Sequence, residues 1–291
     1  MATPSWRMLV DGPETGAYNM AVDEVLLAEA HRSPSRLTCL RFFQWAEPTL
    51  SLGFGQKAAR VVNFDFCRRR RIGCVRRITG GKAVLHHQEL TYSLVSNDAL
   101  VFPLSDIGET YARIAQALVL GFRHLGIETS LAPETASRGL RATTACFALS
   151  NHHEILWSGR KLVGSAQRRT KTAFLQHGSI LLDFDPELLA GALGNPDPLA
   201  FGSQVACLTQ CLGISPAPVE VIGHLQQGFR DFFGVGFELT SLHARQQERA
   251  EELARSRYAL LDWSGMDRAD SWQHWASDWS ESAVARQPEM A

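Results

Sequence analysis

A pair of adjacent glycines with cationic neighbours is the first pattern in this 291-residue sequence that suggests chemistry. Gly80 and Gly81 follow Arg76 and Arg77 and precede Lys82. Glycines let a backbone approach a ligand closely and direct N–H groups toward negative oxygen atoms, and the arginines would add positive charge. The segment matches neither the phosphate-loop pattern GxxxxGK[ST] nor GxGxxG. Because a Gly-Gly pair forms a plain turn more often than a ligand site, the pair alone favours the turn.

A cysteine nucleophile is the second chemistry that the sequence offers. Cys146 follows residues 132–145, a stretch with Pro, Gly, Ser and Thr and no periodicity, which we expect to be a loop. Arg138 and Arg141 in this loop, and Lys161 fifteen positions after the cysteine, would lower the pKa of its thiol. Most isolated cysteines are small buried hydrophobic residues, so residue type alone does not select this one.

Three longer motifs occur in order along the chain. The first is RRITGGKAVLH at residues 76–86, followed by LTYS at 90–93. The second is GRKLVGSAQRR at 159–169, and the third is LQHGSILL at 175–182. Together they resemble the motifs of the lipoate–protein ligase A and octanoyltransferase family, the biotin/lipoate A/B protein ligases. The segments NMAVDEVLL and AEELARSRYALLDW also resemble this family, so the resemblance covers roughly residues 5 to 263.

The resemblance implies an α+β fold related to biotinyl protein ligases and class II synthetases. Its mixed, largely antiparallel sheet would be flanked by helices, and the glycine loop and adjoining strands would line a tunnel for an acyl chain. In such enzymes the lysine of the second motif, here Lys161, contacts the acyl carbonyl. The motifs assign substrate binding to Arg76, Gly80, Gly81, Lys82, His86, Gly164, Ser165, Ala166, His177 and Gly178.

Two chemistries share these motifs, and a cysteine distinguishes them. An ATP-dependent lipoate–protein ligase forms an acyl adenylate with ATP and Mg²⁺ and needs no protein nucleophile. An octanoyltransferase takes the acyl group from a thioester and holds it on a cysteine. Cys146 lies in an ACF triplet before the second motif. This arrangement resembles the cysteine-dependent octanoyltransferases, so the resemblance implies that Cys146 and Lys161 are catalytic.

We therefore expect a protein N-octanoyltransferase that works without a cofactor or metal. The alternatives are the ATP-dependent ligase and an amidotransferase that moves the acyl group between lipoyl-domain proteins. In the expected ping-pong reaction, the donor is octanoyl-acyl carrier protein, and the acceptor is a lysine of a lipoyl domain or of the glycine cleavage H protein. Lys161 and backbone N–H groups near Gly80 or Gly81 would hold the oxyanion. The histidines that could accept the acceptor's proton are His86, His152 and His177, and the sequence does not rank them.

Basic residues near these motifs would suit the docking of acidic partner proteins. They are the four arginines at 68–71, together with Arg168 and Arg169. The same clusters leave open a non-catalytic protein that binds nucleic acid or a lipoyl domain. The formal net charge of −1 argues against a bulk binder of polyanions, so we expect no nucleic acid partner.

Helices and strands alternate irregularly around the motifs. The predicted helices span residues 19–31 with Asn19 as the cap, 108–125, a segment that begins after Asp185, and 219–233. The predicted strands are 38–43, 49–54, and two runs joined by Ser158 and Gly159 at the spacing of a tight hairpin. This mixture favours a mixed sheet with helices packed on it over a regular parallel winding.

Composition limits the class of protein. The chain is 45% hydrophobic and 20% charged, and no apolar run approaches the ~18 residues of a membrane span, so we expect a cytoplasmic protein without a membrane partner. Its six cysteines show no paired spacing; Cys207 and Cys211 form only an isolated CxxxC, so neither a disulfide framework nor a metal site is predicted. We expect one catalytic domain at 1–265, with a C-terminal helix at about 240–261, followed by a tryptophan-bearing tail at 266–291.

Overall fold

The computed structural model describes residues 4–132, 154–194 and 197–260. The strands in these residues are β1 (Ser5–Glu14), β2 (Thr38–Trp45), β3 (Thr49–Leu52), β4 (Gly73–Arg76), β5 (Val84–His86), β6 (Glu89–Ser96), β7 (Ser130–Leu131), β8 (Ile155–Trp157), β9 (Arg160–Arg169), β10 (Phe174–Leu181) and β11 (Gly236–Leu239). The helices are α1 (Gly16–Arg32), α2 (Phe64–Arg70), α3 (Ile107–His124), α4 (Pro186–Ala192), α5 (Pro198–Gly202), α6 (Leu208–Leu212), α7 (Pro218–Phe233) and α8 (Ala244–Ser256), with short 3-10 turns at Ala58–Arg60 and Tyr258–Leu260.

The main sheet has eight strands in the order β11-β1-β2-β6-β10-β9-β8-β7. β1 pairs in parallel with β11 and β2, and every pairing from β2 onward to β7 is antiparallel. The expectation of a mixed, largely antiparallel sheet with flanking helices is therefore confirmed.

Both faces of the central strands β6 and β10 are covered, and every residue in them is buried. Their apolar positions, such as Leu90, Tyr92 and Leu94, face the core that α3 and α7 complete. Their alternate positions are largely polar and face α1 and the glycine loop. A polar strand face that is buried must find partners inside the protein, because an unpaired buried polar group is costly.

A second sheet of three strands, β4-β3-β5, carries the glycine loop, which we define as residues 77–83 between β4 and β5. β3 is parallel to β4 and antiparallel to β5. A separate apolar core, which includes Leu50, Ile72 and Leu189, joins this small sheet to α2 and α4. The small sheet thus forms a platform that places the loop over the polar face of the main sheet.

Three local predictions differ from the structure. α1 begins at Gly16 and is capped by Thr15, whereas Asn19 is buried and its amide donates to the backbone carbonyls of Glu14 and Gln44. The predicted strand at 49–54 ends at Leu52, where the chain turns toward the glycine loop. The C-terminal helix is shorter than expected, because the side chain of His243 and that of Gln246 form a capping box at its start.

The helix at 108–125, the Asp185 cap and the tight hairpin agree with the structure. In the hairpin, Ser158 and Gly159 both have positive φ, of 49° and 75°, as a type I′ turn requires. The tail at 266–291 lies outside the described residues. Among the helices that the structure describes, none combines the length and the apolar character needed to cross a membrane.

Candidate functional site

Arg77 holds the glycine loop in one shape. Its guanidinium is buried, with 3% of the residue exposed. Nη2 donates to the carbonyl oxygens of Gly80 and Lys82 at 2.8 and 2.7 Å, and Nε donates to Thr79 Oγ1 at 3.1 Å. Nη1 donates to the carbonyl and to Oγ of Ser51, at 3.0 and 3.1 Å. Arg77 therefore fastens both sides of Gly81 to strand β3.

Arg76 anchors the neighbouring turn in the same way. Its Nη1 donates to the carbonyls of Gly53, Phe54 and Gln56 at 3.2, 3.1 and 2.5 Å. Gly53 lies so close to the loop that a Cβ there would be 2.0 Å from the carbonyl oxygen of Gly81. Both arginines bind backbone carbonyls, so they shape the loop. The sequence pattern instead predicts that the charges of Arg76 and Arg77 face a ligand.

His177 connects the loop to α1. Its Nδ1 lies 2.9 Å from Asp23 Oδ2 and its Nε2 lies 2.7 Å from Thr79 Oγ1. Burial lowers the pKa of His177, although Asp23 partly opposes this. Burial would raise the pKa of Asp23, but the hydrogen bond from His177 and the charge of Arg41 hold it below its ordinary value. At neutral pH a neutral imidazole thus donates from Nδ1 to an ionised carboxylate and accepts from the Thr79 hydroxyl at Nε2.

His86 extends the network to the other side of the loop. Its Nε2 lies 2.7 Å from Ser51 Oγ, and its Nδ1 lies 2.7 Å from Glu89 Oε1. The ring stacks on Trp45 with centroids 3.8 Å apart. The Trp45 Nε1 group donates to Thr91 Oγ1 at 2.9 Å. Both histidines are therefore fixed at both ring nitrogens, which suits positioning better than proton transfer.

A small pocket lies where the glycine loop meets the main sheet. Its volume is about 20 Å³, which is room for no more than about one water molecule. The predicted site residues that line it are His86, Gly164, Ser165, Ala166, His177 and Gly178. Gly178 is required here, because a Cβ would lie 2.4 Å from the ring of Tyr92. The structure thus brings the ends of all three motifs together around one pocket.

Lys161 lies at the start of β9, near the hairpin. Its Nζ is 2.5 Å from Glu154 Oε1, and the two residues are 4% and 8% exposed. Glu154 also lines a larger, mainly apolar cavity of about 340 Å³ beneath α3. Arg76, Gly80, Gly81, Lys82 and Lys161 are not among the described residues that line the small pocket.

The predicted nucleophile, Cys146, lies outside the described residues, as do Arg138, Arg141 and His152. Four of the five cysteines that the structure describes are poor candidates for this role, because burial raises the pKa of their thiols. They are Cys39 and Cys211, each to about 12, Cys67 to about 11, and Cys207. In the described part of the chain, no cluster of three or more His, Cys, Asp or Glu residues is arranged to hold a metal ion.

The two later arginines point inward. Arg169 donates to the carbonyls of Leu104 and Asp106 and to Thr110 Oγ1, and Arg168 packs over the ring of Phe54 at 5.3 Å. Burial lowers the pKa of both. Arg169 therefore holds the segment that leads into α3, whereas Arg168 packs on Phe54, whose backbone N–H donates to the Thr79 carbonyl of the glycine loop. Of the arginines predicted to dock partner proteins, only those at 68–71 are exposed.

Sequence reasoning missed several members of the network. They are Trp45, Ser51, Thr79, Glu89, Asp23 and Glu154. For Glu89, the available signal was that polar residues alternate with apolar ones in β6, a pattern that is also typical of a strand with one solvated face. Their burial depends on a loop and a helix that are distant in sequence, so the pattern alone could not reveal it.

The comparisons with known proteins agree with this architecture. The model of the lipoyl protein ligase A/B catalytic domain matches residues 15–230. Octanoyltransferase LipM of Kyrpidia tusciae is 37% identical over 271 residues, which cover 89% of this chain and 98% of that protein. The Bacillus subtilis LipM octanoyltransferase is 31% identical, with coverage of 91% and 99%.

Solved structures show the same fold. Lipoate-protein ligase A bound with ATP has a TM-score of 0.73 at 24% identity, with 90% of this chain and 98% of that chain covered. A bi-partite lipoate protein ligase from Thermoplasma acidophilum has a TM-score of 0.73 at 21% identity, with coverage of 99% and 100%. Together with the three motifs that meet at the pocket, these matches place the chain in the lipoyl protein ligase A/B catalytic domain family.

Proposed function

We infer that this chain is an octanoyltransferase, an acyltransferase that acts in lipoate biosynthesis. The observation that carries this conclusion is the match to octanoyltransferases at 31–37% identity over about nine tenths of the chain and nearly the whole of each relative. The similarity to lipoate ligases, which is below 25% identity, supports the fold and does not favour the ATP-dependent reaction.

We propose that Cys146 carries the acyl group between donor and acceptor. Its thiolate attacks the carbonyl carbon of the octanoyl thioester, a new C–S bond forms, and the donor's thiolate leaves and takes up a proton. The amine of the acceptor lysine then attacks the acyl-cysteine: the C–N bond forms, the C–S bond to Cys146 breaks so that Cys146 leaves as a thiolate, and the proton lost from nitrogen passes to solvent. The ACF triplet and the raised pKa values of four other thiols support this assignment.

Lys161 is proposed as the group that stabilises the oxyanion during both attacks. Its charge is buried, and the carboxylate of Glu154 fixes the position of the ammonium. Charge in a buried site acts more strongly than in water, because the effective dielectric constant is lower. Glu154 is then a positioning residue: it determines where the Lys161 charge lies.

The glycine-loop pocket is the proposed entrance for the acyl chain, since the family's three motifs converge there. At about 20 Å³ it is too small for eight carbons, so the loop must separate from the main sheet when the acyl group enters. Burial of each CH₂ then contributes about 0.8 kcal/mol, which is enough to offset a few broken hydrogen bonds. Within this pocket His86 and His177 act as positioning residues, through Ser51 and Thr79.

The donor and the acceptor remain proposals: octanoyl-acyl carrier protein, and a lysine of a lipoyl domain or of the glycine cleavage H protein. Three donor mixtures, each with a lipoyl-domain acceptor, test them: octanoyl-carrier protein, octanoylated H protein, and free octanoate with ATP and Mg²⁺. We expect efficient transfer only from the carrier protein, and loss of transfer in Cys146→Ser. Cys211→Ser is the matched control, because burial already raises the pKa of that thiol to about 12. Transfer from octanoate and ATP that survives in Cys146→Ser would show a ligase, and preference for octanoylated H protein would show an amidotransferase.

A further inference from the structure

A strongly cationic surface lies next to the glycine loop. We define it as residues 57–71, which hold six cationic side chains and one carboxylate, a net charge of +5 in a chain whose formal net charge is −1. The rest of the chain therefore carries −6. All six cationic residues are exposed: Lys57, Arg60, Arg68, Arg69, Arg70 and Arg71. The one carboxylate, Asp65, is already paired with Arg68 at 3.0 Å.

The frame beneath this surface is well fixed. Asn63 caps α2 through a hydrogen bond from the backbone N–H of Phe66. The ring of Phe66 packs against Gly191 of α4 so closely that a Cβ there would lie 2.2 Å from it. The guanidinium of Arg70 lies over the same Phe66 ring, 5.9 Å from its centroid. A surface held in this way loses little conformational freedom when a partner docks.

Arg71 adds an independent observation. It ends α2 in the left-handed conformation, with φ 53° and ψ 44°. Glycine is the preferred residue at this position, because a side chain there costs roughly 1 kcal/mol. The chain instead has an exposed arginine in this strained conformation. Arg71 therefore lowers the stability of the fold somewhat, but adds a positive charge at the edge of the cationic surface.

The cationic surface is connected to the glycine loop at two points. Lys57 directly follows Gln56, whose carbonyl accepts a hydrogen bond from Arg76. At the other end, Arg71 leads into β4, which runs from Gly73 to Arg76 beside the loop. Four strand residues span about 10 Å at about 3.3 Å per residue. A protein bound at Arg71 would thus sit about 10 Å or more from the loop.

We propose that residues 57–71 form the docking surface for the acidic carrier protein that delivers the acyl thioester. This inference rests on the proposed function. The distance between the Arg71 end of this surface and the loop favours the donor over the acceptor, because a carrier presents its acyl group on a long flexible thiol arm. An acceptor lysine is much shorter and requires its protein to sit directly over the acyl-enzyme.

The test is the double charge reversal Arg69→Glu with Arg71→Glu. Arg245→Glu with Arg249→Glu is the matched control, because both of these arginines are exposed on α8, which packs on α1 and lies outside the cationic surface. Each variant is assayed with octanoyl-carrier protein and with octanoyl-pantetheine, a small thioester that needs no docking surface. For the carrier protein we expect kcat/KM of the Arg69/Arg71 variant to fall by about tenfold at low salt, with the difference shrinking at high salt. With octanoyl-pantetheine we expect a change of less than about twofold, and the control should behave as the unmodified chain with both donors.

Equal loss with both donors would show damage to the site and overturn the proposal, as would no loss with the carrier protein. Slower transfer from pre-acylated enzyme to the lipoyl domain, with normal acylation, would assign the surface to the acceptor. Binding of carrier protein without an acyl group, measured by calorimetry, separates this proposal from the proposed function, because it needs no chemistry. Arg71→Gly adds a second check: it should weaken carrier binding while raising the melting temperature, since it removes the charge and the strain together.

Discussion

Replacement of Arg77 by lysine is the most informative single change in the glycine loop. Lysine keeps the positive charge but offers at most three N–H donors from a single nitrogen atom. Arg77 serves five acceptors: the carbonyls of Ser51, Gly80 and Lys82, and the hydroxyls of Ser51 and Thr79. At least two acceptors must therefore lose their partner in the variant.

The magnitude follows from these contacts. A hydrogen bond to a charged group contributes about 1.5–3 kcal/mol, so the loss of two should lower the free energy of unfolding by roughly 3 kcal/mol or more. For a chain of this size, 1 kcal/mol corresponds to a change of about 2–4 °C in melting temperature, so a decrease of at least about 6 °C is expected. Arg249→Lys is the control: Arg249 is exposed on α8 and pairs only with Glu252 among the contacts of its side chain that the structure describes, so its effect should stay within about 0.5 kcal/mol.

Two assays measure the effect of Arg77→Lys on the stability of the protein and on the glycine loop. Chemical denaturation gives the free energy of unfolding, and hydrogen exchange monitored by mass spectrometry reports the protection of a peptide that contains residues 77–83. We expect faster exchange in that peptide and slower acyl transfer in Arg77→Lys, with neither change in Arg249→Lys. Unchanged stability together with unchanged exchange would refute the role of Arg77 as the residue that fixes the loop.

Three further changes test other parts of the site. Gly53→Ala places a methyl group 2.0 Å from the Gly81 carbonyl oxygen; it should displace the loop, slow acyl transfer and cost about 1–3 kcal/mol in a denaturation experiment, and normal activity would contradict the close approach. Glu154→Gln leaves the buried Lys161 charge without its carboxylate, so the free energy of unfolding should fall by about 3–5 kcal/mol; a neutral effect would show that the pair is not closed in solution. Burial lowers the pKa of His177, so below about pH 6.5 the unfolded chain binds more protons than the folded one and stability decreases as the pH falls. His177→Gln should make that pH dependence shallower, and an unchanged slope in a denaturation series would be evidence against a neutral buried imidazole.

Hydrophobic periodicity predicted the elements that have one buried face. The helix expected at 108–125 is α3 at Ile107–His124, and the stretch expected at 219–233 is α7 at Pro218–Phe233. Each presents an apolar stripe to the main sheet and a polar face to solvent, so its pattern directly reflects its environment. Turn and cap residues were equally informative at Ser158–Gly159 and at Asp185, because these interactions are local.

The sequence pattern of α1 did not reveal that its carboxylates are buried. Asp23 and Glu24 are 1% and 5% exposed. Arg41 and His177 bind Asp23, and Tyr258 donates to Glu24 at 2.6 Å. These partners come from β2, β10 and the C-terminal turn, and no local pattern reports contacts over such separations. From sequence alone, a carboxylate on a helix is therefore predicted to be exposed, because its distant partners are not known.

The glycine loop shows a similar limit. The motif correctly identified the segment that approaches the strands of the site, but it suggested that Arg76 and Arg77 would offer their charges to a ligand. The structure shows why a sequence cannot decide this: an arginine has five donors, and a loop with tight backbone turns has several carbonyls that need partners. Whether such an arginine binds a ligand or the backbone carbonyls of the loop depends on how the loop itself folds.

The covalent acyl-enzyme is the centre of this account, and intact mass measures it most directly. The purified protein is mixed with octanoyl-carrier protein in the absence of an acceptor, and its mass is recorded before and after treatment with neutral hydroxylamine, which cleaves thioesters. We predict a gain of one octanoyl group that hydroxylamine removes, that is absent in Cys146→Ser and that persists in Cys211→Ser. An unchanged mass under conditions in which the protein transfers octanoyl to a lipoyl domain, or an adduct that remains in Cys146→Ser, would contradict transfer through Cys146.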